Sequence, residues 1–257
     1  MSHQIEENPA WTQADLAGQN PHAAQDKARR VEAMFNAIAG SYDLNNRVHS
    51  VWQDQGWRKA AVKIAQLKRG DAVLDCACGT GDLSFAFADA GAAVTTGLDF
   101  TANMLEVAGQ KAGRSASAKW KAVRFIQGDA MALPFPDASF DVVSIAFGIR
   151  NVSDPAKAFA EFRRVLRPGG RLVVLEFSEP RNAFLKRAYG FYFRHIMPRT
   201  AAFIARDKSG AYKYLPRSVQ TFLTREGMVG MYAAAGLRDV SQRALTFGIA
   251  VAYCGTK

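Results

Sequence analysis

The chain has 257 residues, 49% hydrophobic and 22% charged, with a net charge of +10, which suits one soluble globular domain with additions. It has no apolar run of 18 residues that would span a membrane, and its polar N-terminus, MSHQIEENPAWTQADLAGQNPHAAQDKARR, lacks the basic-then-apolar order of a secretory signal. Three cysteines (Cys76, Cys78, Cys254) and four scattered histidines offer no metal-ligand spacing, so no metal is expected, and the cysteines read as buried small hydrophobes in a reducing cytoplasm.

Residues 1–30 read as a flexible polar tail. Val31, Met34, Phe35 and Ile38 then recur at helical spacing until Gly40 breaks the pattern. A second helix is expected from about Trp57 to Leu67, with Trp57, Ala61, Ile64 and Ala65 inward. These helices, within 31–68, should cap the edge of the sheet that follows.

From Asp71 strands alternate with helices: strands near 72–77, 93–98, 122–127, 140–146 and 171–177, helices near 82–90, 101–112 and 155–166. That order indicates an α/β fold with a mostly parallel sheet covered on both faces. Asp154-Pro155 has the form of a helix cap followed by proline, and Arg167-Pro168-Gly169-Gly170 that of a turn before a strand. One more helix, at 226–235, precedes two strand-like runs, 237–245 and 248–254, that would close the sheet as an antiparallel hairpin.

The stretch VLDCACGTGD (73–82) carries the first chemical signal. An apolar strand runs to Asp75, and Gly79 and Gly81 then turn it into a helix without a Cβ in the way of a ligand. Asp99 follows Gly79 by 20 residues at the end of the next strand, a spacing that suits a carboxylate holding ribose hydroxyls. The glycines alone could simply close a strand–helix turn. A pyrophosphate would be repelled by Asp75 and Asp82, whereas the ammonium and sulfonium of S-adenosylmethionine would suit them. Between Arg181 and Arg217 stand nine Lys or Arg against one acid, Asp207, interleaved with Phe184, Leu185, Tyr189, Tyr192 and Phe193 at helical spacing. This 181–217 insertion reads either as a surface helix packed on the core or as a basic aromatic face for an anionic membrane.

Several stretches together resemble the ubiquinone/menaquinone biosynthesis C-methyltransferases, of the class I S-adenosylmethionine-dependent methyltransferases: FNAIAGSYDLNN (35–46), Trp57-Arg58-Lys59, LDCACGTGDL (74–83), QGDAMALPFPDASFDVV (127–143), the 146–178 run that begins AFGIRN, and YKYLPRSV (212–219). The resemblance covers about residue 31 to the C-terminus. It implies a Rossmann-like, seven-stranded sheet of order 3-2-1-4-5-7-6 with strand 7 antiparallel. It also implies cofactor contacts at Thr80, Asp99, Asp129 and Ala130, beside the Asp75, Gly79 and Gly81 of the loop. A further family contact falls on Ala146, where some members have serine, so only backbone or packing contact is left there. Members often read S-x-G-x-H before the tryptophan. Here the run is His49 to Gly56, and no histidine role carries over to His49.

The implied reaction is methylation of a ring carbon of a polyprenylated quinol: demethylmenaquinol, which the ACGTGD form of the loop favours, or the methoxy-polyprenylbenzoquinol of ubiquinone synthesis. Arg150, after the fourth parallel strand, is the expected stabiliser of a quinol oxyanion, with water taking the proton and Tyr42 in the same pocket. A peripheral place at the inner face of the cytoplasmic membrane, and a homo-oligomer or quinone-biosynthesis assembly, belong to the same reading. The rivals are a methyltransferase of another small aromatic or lipid, a non-catalytic member of such an assembly, and a nucleic-acid methyltransferase. Against the last, no RNA-binding module is appended and no nucleic-acid partner is expected.

Overall fold

The computed structural model describes residues 9–17, 20–197, 199–200 and 209–257, with the side chains of Gln13 and Arg194 excepted. Seven strands form one sheet: β1 (Ala72–Cys76), β2 (Val94–Asp99), β3 (Arg124–Gln127), β4 (Phe140–Ala146), β5 (Leu166–Phe177), β6 (Arg238–Leu245) and β7 (Ala250–Thr256). Their spatial order is β3-β2-β1-β4-β5-β7-β6, with β7 antiparallel to both neighbours, which is the class I methyltransferase arrangement. The central strands are apolar on both faces because both faces are covered. Val73, Val142 and Val173 face Trp57, Ala61, Leu83 and Phe87 on one side. Their neighbours Leu74, Val143 and Leu172 face Phe159, Phe162 and Tyr232 on the other.

The helices are α1 (Gln13–Leu16), α2 (Lys27–Ile38), α3 (Tyr42–His49), α4 (Gln53–Ile64), α5 (Asp82–Asp89), α6 (Ala102–Arg114), α7 (Ala118–Lys121), α8 (Pro155–Val165), α9 (Ala183–Phe191), α10 (Ala211–Thr221) and α11 (Arg225–Ala234). The α8 cap forms as read: the Asp154 carboxylate accepts from the Lys157 N–H at 3.0 Å. The Arg167–Gly170 turn, by contrast, lies inside β5. Leu166 pairs with Phe140 and Arg171 with Val142, so the intervening residues bulge and pairing resumes beyond them. The three cysteines are free and buried, and burial pushes their thiols up.

Two expectations need correction. The residues before 31 are not simply a polar tail: Trp11 is buried, stacks on Tyr214 with centroids 4.7 Å apart, and donates its backbone N–H to Ser209 at 3.1 Å. Helix α2 starts at Lys27, and residues 1–8 lie outside the described ones. The 181–217 block is also less regular than a single amphipathic helix. α9 buries none of its residues and passes into a wider π turn over Tyr192–Ile196, where Phe193 turns inward. Arg206, Asp207 and Lys208 lie outside the described residues. Trp11, Met34, Ile38, Phe193, Met197 and Tyr214 form a separate small core that holds this cap over the carboxyl edge of the sheet.

Candidate active site

Two cavities meet at the carboxyl ends of the parallel strands, the edge where open α/β sheets bind ligands. The first, of about 120 Å³, lies between the ends of β1, β2 and β4 and the cap, with Asp99, Asp129, Ala130 and Ala146 in its wall. Asp99 ends β2 and is locked by its surroundings: its two oxygens accept the N–H groups of Gly79 at 2.7 Å and Thr101 at 2.8 Å. Each oxygen keeps lone-pair capacity for a ribose hydroxyl. Asp129 is fixed similarly by the Met131 N–H at 2.8 Å. Gly79 lines the cleft with φ +56°, and Leu98, Phe100, Met131 and Val152 supply apolar surface for a purine. These residues fit S-adenosylmethionine: carboxylates for the sugar, a flat apolar slot for the base, and a backbone that a ligand can approach.

The acids beside the glycines behave differently from the sequence expectation. Asp82 forms ion pairs with Arg47 at 2.6 Å and Lys111 at 2.5 Å; burial raises its carboxyl, but the charges of Arg58, Lys111 and Arg47 outweigh that and draw it down to about 2. Its charge is therefore already balanced within the protein. Asp75 is buried and accepts from the hydroxyls of Ser84 at 2.7 Å and Ser144 at 2.8 Å, while burial pushes its carboxyl up to about 6. It borders a smaller recess, shared with Thr80 and Arg58, that adjoins the cleft through Tyr42, Ala77, Gly79 and Ala146. Thr80 donates its hydroxyl to Asp43 at 2.6 Å, so it holds α3 against the loop. Gly81 does not line the cleft. It starts α5 with φ +85°, and a Cβ there would lie 3.0 Å from both Phe85 and Phe125. Its need for glycine comes from conformation and packing.

The second cavity, about 340 Å³, lies beneath the cap between α2, α3, α4, the end of β4 and the π turn. Its wall is mostly aromatic and aliphatic: Phe35, Trp57, Phe147, Phe177, Tyr189 and Phe193 among others. Phe35, Tyr42 and Phe147 border both cavities and mark where they meet. Phe147 takes a left-handed conformation, φ +56°, as the chain leaves β4, and packs against Phe177 at 4.5 Å. The following Gly148 allows the chain to pass the glycine loop, since a Cβ there would stand 2.6 Å from that of Ala77.

Arg150 lines the second cavity, as does Tyr42. Arg150 is buried, however, and its Nη1 donates to Glu176 at 2.8 Å and to the Phe147 carbonyl at 2.5 Å. Its charge is thus largely offset by Glu176, whose own carboxyl burial pushes up, and its buried Nε is without a partner. Glu176 was not singled out from sequence. It sits at the carboxyl end of an apolar strand, where an acid next to no visible cation is the only clue.

Two further groups emerge from α3. Residues 42, 45, 46 and 49 are spaced so that they share one helix face, and all four line the second cavity. The Asn45 amide donates to the Ser41 carbonyl at 3.2 Å, leaving its buried Oδ1 without a partner. His49 approaches Tyr192 through Nδ1 at 3.1 Å, while the Tyr192 hydroxyl lies 3.3 Å from the His49 carbonyl. If the tyrosine proton goes to that carbonyl, Nδ1–H donates to the tyrosine oxygen and Nε2 is the lone-pair nitrogen. That Nε2 is buried without a partner, and burial lowers the His49 pKa, which favours the neutral ring. Helical spacing from Tyr42 was the available signal for both.

The geometry agrees with the comparisons. The family model described as the ubiE/COQ5 methyltransferase family matches residues 23–257. A demethylmenaquinone methyltransferase of Deinococcus radiodurans is 46% identical, covering 91% of this chain and 95% of that one. One of Thermus thermophilus is 45% identical, covering 87% and 100%. A ubiquinone/menaquinone biosynthesis C-methyltransferase UbiE of Geobacter sulfurreducens is 42% identical, covering 90% of each. Among solved structures, an S-adenosylmethionine-dependent methyltransferase of Thermotoga maritima superposes with a TM-score of 0.62 at 21% identity, over 88% of this chain and 99% of that one, a likeness of fold. The chain belongs to the ubiE/COQ5 methyltransferase family and is an S-adenosylmethionine-dependent methyltransferase.

Proposed function

We propose that the enzyme methylates a ring carbon of a polyprenylated quinol in menaquinone synthesis, converting demethylmenaquinol to menaquinol. The observation that carries this reading is the second cavity. It is large and apolar, touches the cofactor cleft at Phe35, Tyr42 and Phe147, and is lined by Asn45, His49 and Arg150, each of which has a buried polar atom without a partner. A hydroquinone ring supplies flat apolar faces and two hydroxyls, and both features are matched there. The names carried by the Deinococcus and Thermus relatives support the menaquinone branch. The relatives named for both quinones keep the methoxy-polyprenylbenzoquinol as the second reading.

When bound, S-adenosylmethionine supplies an electrophilic methyl group; the chain's residues do the rest. The ring carbon becomes nucleophilic when the hydroxyl next to it loses its proton. His49 Nε2 is the acceptor we assign to that proton, because it is a neutral lone-pair nitrogen in the cavity wall and Tyr192 holds the ring in place. Asn45 Oδ1 accepts from the other hydroxyl. The unpartnered Arg150 Nε–H stabilises the developing oxyanion as a hydrogen-bond donor, its net charge being offset by Glu176. Phe35, Tyr42 and Phe147 set the ring against the cleft, so positioning carries much of the rate. The ring proton then passes to water, which restores aromaticity, and His49 returns its proton to the phenolate oxygen.

The test is an in vitro assay of the purified enzyme with each quinol kept reduced, reading the product mass. A gain of one methyl on demethylmenaquinol supports the reading. Turnover of the benzoquinol alone would move the enzyme to the ubiquinone branch, and turnover of neither would sink the quinol assignment.

A further inference from the structure

The second cavity opens where its wall reaches the surface. Among the described residues lining it, only Val51 and Gln53 are exposed. The cofactor cleft opens elsewhere, beside exposed Ala28, Phe100 and Ser153. The rim of the second opening is unusual in what it shows to solvent. Trp52 is 62% exposed and Phe247, at the tip between β6 and β7, is 79% exposed. Of the eleven exposed large apolar side chains among the described residues, eight belong to α3, its following loop, this tip, or the α9–π segment. Leu44 and Val48 lie one turn apart on α3, away from its cavity-lining residues, and Phe184 and Phe191 project from α9.

These elements are joined to one another. Trp57 Nε1 donates to the Thr246 hydroxyl at 2.8 Å, which in turn reaches Gln53 at 3.3 Å, so the 51–53 loop and the 246–248 tip are pinned side by side. The pair formed by Tyr192 and His49 ties the π turn to the end of α3. Val51, Trp52 and Phe247 all take left-handed backbone conformations, with φ of 50°, 58° and 57°, that cost a bulky residue and suit glycine. A strained backbone is here holding large apolar side chains out in water, and such an arrangement calls for a partner that covers them.

We propose that this rim is a membrane-docking face whose partner is the interface of an anionic lipid bilayer, with Trp52 and Phe247 as the inserted residues and the cavity mouth between them open to the acyl region. The proposal rests on the quinol reading above. A long isoprenoid tail outruns the cavity and has to leave by its mouth, where only an apolar medium would accommodate it. Aromatic side chains on an exposed rim suit the boundary between headgroups and acyl chains. Exposed Arg187 and Lys213, and the basic surplus of 181–217 in which they lie, suit an anionic surface rather than a neutral one. Membrane contact is thus centred on the two tips.

The test compares the full-length enzyme with the W52G/F247G variant, whose glycines relax the strained positions and leave the cavity wall intact. Sedimentation with vesicles of equal phosphatidylglycerol and phosphatidylcholine should show the wild type bound and the variant weaker by roughly a hundredfold. Vesicles with brominated acyl chains should quench Trp52 fluorescence, read against a W52G control. Turnover of a short-tailed, water-soluble naphthoquinol should be equal in the two proteins, while turnover of a long-tailed quinol presented in vesicles should fall in the variant. Equal vesicle binding by wild type and variant, or no binding by either, overturns the proposal. So does concentration-dependent dimerisation in solution that W52G/F247G abolishes, since a second copy would then be the partner. Vesicle binding by a wild type that methylates neither quinol would instead count against the quinol reading alone.

Discussion

The two cavities meet at the same sheet edge but are built in different ways. The cofactor cleft is made mainly from loops that leave consecutive parallel strands, and its polar groups are already fixed by short backbone hydrogen bonds, as at Asp99 and Asp129. The second cavity is made from the cap, from residues far apart in the chain, and several of its polar atoms have no partner. A preorganised site costs little to occupy and suits one invariant ligand. A site with waiting acceptors in an apolar wall draws specificity from the ligand that satisfies them, since leaving them unpaired is costly.

This contrast can be broken or sharpened experimentally. The largest effect is expected at the floor of the second cavity, where Arg150→Ala leaves Glu176 buried without its cation. Urea unfolding should show a loss of about 3–5 kcal/mol, and R150M/E176L should recover most of it. If Arg150→Ala were as stable as wild type, the pair would not be structural.

Under the cofactor cleft, Asp75 makes stability depend on pH. Its folded-state carboxyl stands at about 6 against an ordinary 3.8, so the folded state binds the proton more tightly. Its contribution is present in full below pH 3.8 and is lost as pH rises through 6. The loss, on the order of 3 kcal/mol, would be read from unfolding curves at successive pH values. Other groups titrate in that range, so the comparison is with Asp75→Asn, which should lose this component.

At the reacting end, His49→Gln should lower kcat by roughly a hundredfold with little change in cofactor affinity. The pH profile decides between a base and a packing residue: the acidic limb of kcat should vanish in the variant. Asp99→Asn tests the opposite cavity. Calorimetry should show S-adenosylmethionine affinity weakened by about 10- to 100-fold, the worth of one charge-assisted hydrogen bond. Quinol affinity should hold. The smallest effect is at the mouth, where Thr246→Val removes the hydroxyl that Trp57 donates to. A thermal melt should register about 1 kcal/mol.

The strands and principal helices of the sheet were legible because apolar periodicity and glycine or proline punctuation are local signals. β4 and α8 appear within a residue or so of their expected ends, and VLDCACGTGD is a strand turning into a helix. The place of Asp99 at the end of β2 was equally legible, since it lies one strand–helix–strand unit beyond the loop that it braces. Asp82 was misread because its partners, Arg47 and Lys111, arrive from 35 residues before it and 29 after. Trp11 was hidden for the same reason: nothing near it in sequence announces Tyr214.

The sequence by itself determined the sheet, the glycine turn and the family, because each is written in short-range pattern or in motifs of contiguous residues. Tertiary structure alone decided how charge is distributed in the site. It paired Arg150 with Glu176, gave Asp82 its cations, and left Asn45 Oδ1 and His49 Nε2 buried without a partner. It also joined the loop that carries Trp52 to the tip that carries Phe247, through Gln53 and Thr246 at the cavity mouth. Burial and ion pairing are properties of what surrounds a group in space, and chain order does not specify those surroundings residue by residue.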